Sequence, residues 1–226
     1  MSGYPPIKTV LLPASEVEIS LPDALRYMGF GGAEPGAEVA ALAREAIALT
    51  QKTARYAACS LAVPVAISGD EVDLGVLRVK SASLARHLSG CGAAVLFAAT
   101  TGMEAERRRK QASVTSGARA FALDAAGSAA IERFCDLLCR SFAGDFPGKT
   151  MRPRFSPGYG DLPLETQRPL LGALDAARRI GVTLTDALMM MPQKSVSAVV
   201  GVADGDCAQQ APACARCNQK DCAFRR

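Results

Sequence analysis

The longest apolar run in the chain is short, and it constrains the fold more than any other feature. It covers residues 93–99 and is bounded by Gly92 and Thr100. A helix that crosses a membrane needs about 20 apolar residues, so no membrane span is expected. An apolar run of this length between such neighbours instead fits a strand that is covered on both faces. The sequence therefore predicts a fully buried strand here.

Helix and strand signals alternate along the rest of the chain. Its 226 residues, of which 49% are hydrophobic and 21% charged, suit a single domain with a small appendage. Periodicity and turn residues predict strands at 7–12, 60–67, 72–79 and 196–202, and helices at 22–28, 36–52, 81–88, 102–139 with a break near 113–116, and 164–179. Residues 143–153 are predicted to form a polar connection and residues 154–163 a loop.

A tail rich in cysteine follows the last predicted strand. Residues 203–226 have almost no aliphatic side chains and cannot supply a hydrophobic core, so we divide the chain into a domain at 1–202 and a metal-binding tail at 203–226. In a reducing compartment such a cluster of cysteines indicates metal ligands before disulfides. The tail holds four of the eight cysteines of the chain, Cys207, Cys214, Cys217 and Cys222.

The spacing of these cysteines favours a single metal centre. The two residues between Cys214 and Cys217 let both thiolates bind the same centre, and the flanking Cys207 and Cys222 complete four-thiolate coordination. Typical zinc ribbons have two such pairs separated by a longer span, so an iron-sulfur cluster is the first interpretation. A structural zinc ion that pins the C-terminus is the alternative, and a disulfide pair is the least favoured.

Composition disfavours several other functional classes. A net charge of +4, 5% aromatic residues and no tryptophan provide neither a basic footprint nor a stacking platform for nucleic acid. His87 is the only histidine and has no nucleophile motif beside it, so hydrolytic nucleophilic catalysis is not predicted. The N-terminus lacks the pattern of a secretory signal, so a cytoplasmic location is expected. The remaining cysteines are predicted to pack as small hydrophobes, namely Cys59, Cys91, Cys135 and Cys139.

The loop at 154–163 carries residues that suit ligand binding. Arg154, at the start of a Pro-Gly turn, can hold a carboxylate with two hydrogen bonds, and the turn exposes backbone groups while projecting Tyr159 outward. Glu132, upstream on the long predicted helix, can balance a cationic group. Arg154 and Glu132 together thus match the carboxylate and ammonium of an amino-acid moiety. On spacing alone, a plain turn is the favoured interpretation.

Several ordered motifs between about residues 132 and 201 resemble the reactivation domain of cobalamin-dependent methionine synthase, and most closely its short stand-alone relatives. The resemblance implies an α+β fold: a single domain with a curved, mainly antiparallel sheet flanked by helices, to which this chain adds its cysteine-rich tail. The motifs that carry the resemblance are Arg154-x-x-Pro157-Gly158-Tyr159, Arg179-Ile180-Gly181-Val182, Leu184-Thr185 and Met191-Pro192-Gln193-Lys194-Ser195-Val196-Ser197.

The resemblance also implies a ligand and roles for individual residues. Domains of this family bind S-adenosylmethionine and dock over the corrinoid of a partner module. Carried over, Arg154 takes the methionine carboxylate and Glu132 the ammonium. The backbone of the turn, including Ser156, Pro157 and Gly158, meets the adenine or ribose. Tyr159 faces the corrinoid, where its hydroxyl can organise water near cobalt, and it is the expected catalytic residue.

Three functional hypotheses follow. The first is a reactivation factor for a corrinoid-binding methionine synthase or a related methyltransferase. It supports reductive methylation of cob(II)alamin with S-adenosylmethionine, and the iron-sulfur cluster of the tail delivers the electron. The second is a non-catalytic binding or scaffold module with a structural zinc site. The third is a subunit of another corrinoid methyltransferase. In the family, a segment after the last strand supplies a tyrosine to the ligand site. This chain has residues 203–226 in its place.

Overall fold

A five-stranded sheet forms the centre of the computed structural model, which describes residues 6–31 and 34–204. Every neighbouring pair of strands in this sheet is antiparallel. In spatial order the strands are β1 (Lys8–Leu12), β2 (Tyr56–Pro64), β6 (Cys91–Thr100), β10 (Ser195–Asp204) and β7 (Lys149–Phe155). The predicted α+β fold, with a mainly antiparallel sheet flanked by helices, is confirmed.

Two smaller sheets, seven α-helices and two short 3₁₀ helices complete the described part of the chain. A three-stranded sheet contains β3 (Ala66–Ser68), β4 (Glu71–Asp73) and β5 (Arg78–Lys80), and a two-stranded sheet contains β8 (Thr183–Leu184) and β9 (Met190–Met191). The helices are α1 (Leu21–Tyr27), α2 (Ala37–Thr53), α3 (Ala82–His87), α4 (Met103–Thr115), α5 (Gly117–Asp145), α6 (Gln167–Ala173) and α7 (Ala176–Ile180). Among the described residues, none of these helices is both long and apolar enough to cross a membrane.

The central sheet has a hydrophobic core on each face. Phe97 of β6 is fully buried in the core on the side of α1, α2, α4 and α5. Its neighbour Leu96 is fully buried in the core that contains residues of α3, α6, α7 and β4. Successive side chains of a strand point to opposite faces, so a strand that is covered on both sides must be apolar throughout. The predicted strand at 93–99 is therefore confirmed, and it is buried from Ala94 to Ala99, while Ala93 is partly buried.

Serine residues form the N-terminal caps of three helices. The hydroxyls of Ser20, Ser81 and Ser116 accept hydrogen bonds from backbone amides in the first turns of α1, α3 and α5. Such caps satisfy amides that have no partner within the helix. They account for the predicted starts of α1 and α3, and for the break between α4 and α5.

Two predicted strands are interrupted in the structure. Residues 60–67 are divided between β2 and β3, which belong to different sheets. Residues 72–79 are divided between β4 and β5 by a turn, in which the amide of Gly75 donates to the Asp73 carboxylate at 2.7 Å. The positive φ of Gly75, +74°, allows the chain to reverse there. The prediction of one continuous strand at 72–79 was wrong, because the hydrogen bond between the Asp73 side chain and the Gly75 amide favours a turn over an extended backbone.

Two further predictions need correction. Residues 149–153, expected in a polar connection, belong to strand β7. Pro153 is tolerated within it because β7 lies at the edge of the sheet, where a missing backbone N–H breaks no ladder on the open side. The helix expected at 164–179 is divided into α6 and α7. Asp175 between them has a φ of +51°, in the left-handed region that ends a right-handed helix.

Gly201 of β10 lets the end of α3 approach the sheet closely. A Cβ atom at this position would lie 2.8 Å from Sγ of Cys91, 2.9 Å from Cδ2 of Leu88 and 3.0 Å from Cγ of Arg152. We expect Gly201→Ala to lower the free energy of unfolding by about 1–3 kcal/mol, because overpacking forces these buried neighbours apart. Urea denaturation measures the change. Gly172→Ala is the control, since a Cβ at Gly172 in α6 meets nothing within 4 Å. Equal stability of the Gly201 variant and the wild type would contradict this packing.

Candidate functional site

Arg154 forms a pair of ion contacts between the sheet and helix α5. It lies near the end of β7, opposite Val200 of β10. Its Nη2 atom donates to Oε2 of Glu132 at 3.1 Å and to Oδ1 of Asp136 at 2.9 Å. Glu132 and Asp136 are four residues apart on α5, so they share one face of that helix. The structure thus brings together two residues with predicted roles, Arg154 and Glu132, and adds Asp136 to them.

This cluster is partly shielded from water. The side chain of Arg154 is 19% exposed, that of Glu132 is 31% exposed and that of Asp136 is 35% exposed. Burial alone would lower the pKa of Arg154, but the adjoining thiols and carboxylates outweigh it and the pKa is raised. Arg154 therefore remains charged, in a setting where its contacts are stronger than on an open surface.

Two cysteines complete the surroundings of Arg154. Cys135 is fully buried and Cys139 is half-buried. Burial raises the pKa of Cys135 to about 12 and that of Cys139 to about 11. Both thiols are therefore neutral near pH 7 and behave as the small apolar side chains that the sequence predicts. Cys59 and Cys91 are also buried.

The formal charge of the cluster suits a cationic ligand. The guanidinium carries one positive charge and the two carboxylates carry two negative charges, so the net charge of the cluster is −1. A ligand that brings one carboxylate and two positive charges would complement all three side chains. Arg154 can hold a carboxylate through its planar guanidinium, while Glu132 and Asp136 can accept from an ammonium.

The turn after β7 is closed by its own backbone. The amide of Tyr159 donates to the carbonyl of Ser156 at 3.0 Å, and the amide of Gly158 donates to the carbonyl of Leu162 at 2.9 Å. Gly158 has a φ of +90°, which a residue with a side chain rarely adopts. The turn that begins after Phe155 is therefore ordered locally, and its glycines are required by its shape.

Tyr159 projects from this turn as the sequence predicts. Its side chain is 57% exposed, and its ring packs edge-on against Phe155 with 6.0 Å between ring centroids. Leu164 is another exposed apolar residue beside the turn, because a Cβ on Gly158 would lie 3.4 Å from its Cδ1 atom. The turn thus presents an aromatic ring and an aliphatic side chain to solvent.

A second polar contact occurs further along the same face of α5. Nζ of Lys194 donates to the Asp124 carboxylate and to the Ser128 hydroxyl, both at 2.9 Å. Asp124 and Ser128 precede Glu132 and Asp136 at steps of four residues, so all four belong to one stripe of α5. Sequence reasoning gave no binding role to Asp124 or Asp136. The four-residue spacing on a predicted helix was the signal that could have found them.

The predicted metal ligands Cys207, Cys214, Cys217 and Cys222 lie outside the described residues. Within residues 6–31 and 34–204, no group of three or more His, Cys, Asp or Glu side chains could hold a metal ion. The tail site stays a prediction from the sequence, as does the boundary between the domain and the tail.

Comparisons with known proteins agree with this fold. Residues 148–213 match the family described as "Vitamin B12 dependent methionine synthase, activation domain". The structure is similar to the crystal structure of the MetH reactivation domain bound to AdoHcy, with a TM-score of 0.67 and 14% sequence identity. That similarity covers 87% of this chain and 78% of the other. No curated protein sequence shows a significant match.

Proposed function

Because the chain is a relative of the activation domain of vitamin B12-dependent methionine synthase, we propose that it activates a corrinoid enzyme and binds S-adenosylmethionine to do so. The similar structure supports this ligand class, since that domain is bound to AdoHcy. The observation that carries the proposal is the contact of Arg154 with both Glu132 and Asp136.

S-adenosylmethionine matches the charges of this cluster. The ligand has one carboxylate, one ammonium and one sulfonium, and therefore a net charge of +1 against −1 for the three side chains. In the proposed complex, Arg154 binds the carboxylate and Glu132 the ammonium, and Asp136 offsets the remaining positive charge. Arg154 donates to both carboxylates through Nη2 and also lies against Cys135, so we assign its remaining donor positions to the ligand carboxylate. The backbone at Ser156, Pro157 and Gly158 then faces the adenine or ribose.

Tyr159 is the residue we assign to the corrinoid side of the site. Its ring is exposed and is held by Phe155, so it can pack against a flat macrocycle without first becoming ordered. When the partner is engaged, one electron from a reductant converts cob(II)alamin to cob(I)alamin, which takes the methyl group as the S–CH₃ bond breaks, yielding methylcobalamin and S-adenosylhomocysteine. This chain holds the methyl donor, excludes water around it and presents the Tyr159 hydroxyl.

Calorimetric titration of S-adenosylmethionine into the anaerobically purified chain tests the ligand. We expect saturable binding of one ligand per chain.

Spectroscopy with the corrinoid module of a cobalamin-dependent methionine synthase then tests the partner. Addition of chain, ligand and a one-electron reductant should convert cob(II)alamin to methylcobalamin faster than reductant and ligand alone. The absence of binding, or of any acceleration, would contradict the corresponding part of the proposal.

The tail is our candidate for electron delivery, and alkylation followed by mass spectrometry tests it. Burial raises the pKa of Cys59 and Cys139 to about 11 and that of Cys135 to about 12, so these thiols should alkylate slowly near pH 8. If Cys207, Cys214, Cys217 and Cys222 hold a cluster, they resist alkylation in the native protein and react after the metal is removed with a chelator.

The metal itself distinguishes the two interpretations of the tail. Brown protein with broad visible absorption and bound iron supports the electron relay. Colourless protein with stoichiometric zinc supports the scaffold interpretation instead. Rapid alkylation of all four tail thiols in untreated native protein would exclude both, and Cys214→Ser is the control variant for loss of the centre.

A further inference from the structure

Helix α3 holds the far end of the site loop at its N-terminus. The Asp161 carboxylate accepts hydrogen bonds from the Ser81 hydroxyl at 2.5 Å, the Ala82 amide at 2.9 Å and the Ser83 amide at 3.0 Å. These donors, Ser81 first, hold the pKa of Asp161 well below its ordinary range. The carboxylate is therefore ionised at neutral pH, and it ties the loop to a helix that is 80 residues earlier in the chain.

The loop backbone also lies directly against α3. A Cβ atom on Gly160 would lie 2.6 Å from Oγ and 2.8 Å from Cβ of Ser83. Gly160 also has a φ of +57°, in the left-handed region. Only glycine allows this approach without displacement of the helix or the loop. Gly160 and Asp161 thus form one continuous contact with the first turn of α3, directly after Tyr159.

The last residue of the same helix holds the near end of the loop. His87 is 8% exposed, and its Nε2 atom lies 2.8 Å from the carbonyl oxygen of Pro153, to which the ring N–H donates. Its ring also packs against Phe155, with 5.0 Å between ring centroids. His87 therefore contacts the residue before Arg154 and the residue after it. The only histidine of the chain is used at the site, although not as a catalytic base.

We propose that α3 is the positioning element of this site. His87 holds the Pro153 carbonyl before Arg154 and the Phe155 ring after it, and Asp161 fixes the turn that carries Tyr159. The inference rests on the proposed function and extends it to residues outside the ligand cluster. One helix therefore contacts the segment 153–161 at both ends of that segment. The distance between the arginine and the tyrosine is then set before any ligand arrives, which lowers the entropy lost on binding.

Helix α3 also has apolar contacts, apart from these two polar ones. Leu84, Ala85 and Leu88 anchor it in the core beneath the central sheet. Variants of Asp161 and His87 should therefore leave the helix packed and release only the loop. This separates a role in positioning from a role in overall stability.

A single tryptophan makes the order of the loop measurable. The chain contains no tryptophan, so Tyr159→Trp places a unique fluorophore in the turn. In this background we expect Asp161→Ala and His87→Ala to lower the tryptophan anisotropy, while Asp73→Ala does not. Asp73 is a matched control because its carboxylate also accepts a backbone amide and contacts an arginine, but in the small sheet.

Ligand affinity provides the second measurement. It is made without the Tyr159→Trp substitution, so that the site keeps its tyrosine. Titration of S-adenosylmethionine should show about tenfold weaker binding for Asp161→Ala and for His87→Ala, because binding must then also order the released loop. His87→Gln should recover most of the affinity, because its amide nitrogen can donate to the Pro153 carbonyl. Thermal denaturation checks that all variants remain folded.

The two measurements separate failure of this inference from failure of the proposed function. Lower anisotropy together with weaker binding supports the inference. Unchanged anisotropy in both Asp161→Ala and His87→Ala overturns it, as does affinity within twofold of wild type in both. If the wild-type chain binds no S-adenosylmethionine, the proposed function fails, and the anisotropy alone decides whether α3 orders the loop.

Discussion

Replacement of Arg154 by alanine should weaken the binding of S-adenosylmethionine by about hundredfold or more. The variant loses the group that binds the ligand carboxylate, and it leaves Glu132 and Asp136 next to each other without their shared cation. Removing one member of a shielded charge pair costs roughly 2–5 kcal/mol, which corresponds to this loss of affinity. Calorimetric titration measures it directly. Arg154→Lys should recover only part of the affinity, because an ammonium cannot form two parallel bonds to a carboxylate.

Arg179→Ala is the matched control for this variant. Arg179 is also a partly buried arginine, 29% exposed, and it contacts Asp175 and Thr9 on the other face of the sheet. Its replacement should change stability but leave affinity for the ligand within about twofold. If Arg154→Ala bound S-adenosylmethionine as tightly as the wild type, the assignment of the carboxylate to Arg154 would be wrong.

Replacement of Glu132 by glutamine should weaken two ligands equally. We assign Glu132 to the ammonium, which S-adenosylmethionine and S-adenosylhomocysteine share. Loss of one charged hydrogen bond should reduce the affinity for both by about tenfold or more. Parallel titrations with the two ligands measure this, and their affinity ratio should stay at the wild-type value.

The ratio of the two affinities also shows whether Glu132 contacts the sulfonium instead of the ammonium. If Glu132→Gln weakened S-adenosylmethionine alone, the Glu132 carboxylate would face the sulfonium, because the two ligands differ only in the methyl group on sulfur and the positive charge that it brings. Glu104→Gln is the control, since Glu104 is 37% exposed and pairs with Arg107 and Arg108 on α4, a different helix.

The sequence predicts the centre of this fold better than its edges. The strand at residues 93–99 is evident because burial on both faces requires an unbroken apolar run. The strand β7 is not evident, because its sequence Lys-Thr-Met-Arg-Pro-Arg-Phe has charges and a proline that only an edge position tolerates. Asp175 also could not be foreseen as a break, since buried apolar residues stand directly before and after it, Leu174 and Ala176.

For the candidate site, the sequence provides the residues but not their partners. Arg154 and Glu132 come from a motif and a resemblance, and the structure places them in contact. Asp136 could have been added from its four-residue spacing after Glu132 on a predicted helix. The contact of Asp161 with α3 could not, because it joins segments about 80 residues apart and depends on how the loop packs against the helix. Contacts of that kind follow from the tertiary fold and not from any local pattern.

A crystal structure of the anaerobically purified chain with S-adenosylmethionine tests the proposed site most directly. We predict that the ligand lies between α5 and the turn after β7, with its carboxylate within hydrogen-bond distance of the Arg154 guanidinium and its ammonium beside Glu132. A saturated complex in which the ligand lies elsewhere, or in which Arg154 still contacts only Glu132 and Asp136, would contradict it.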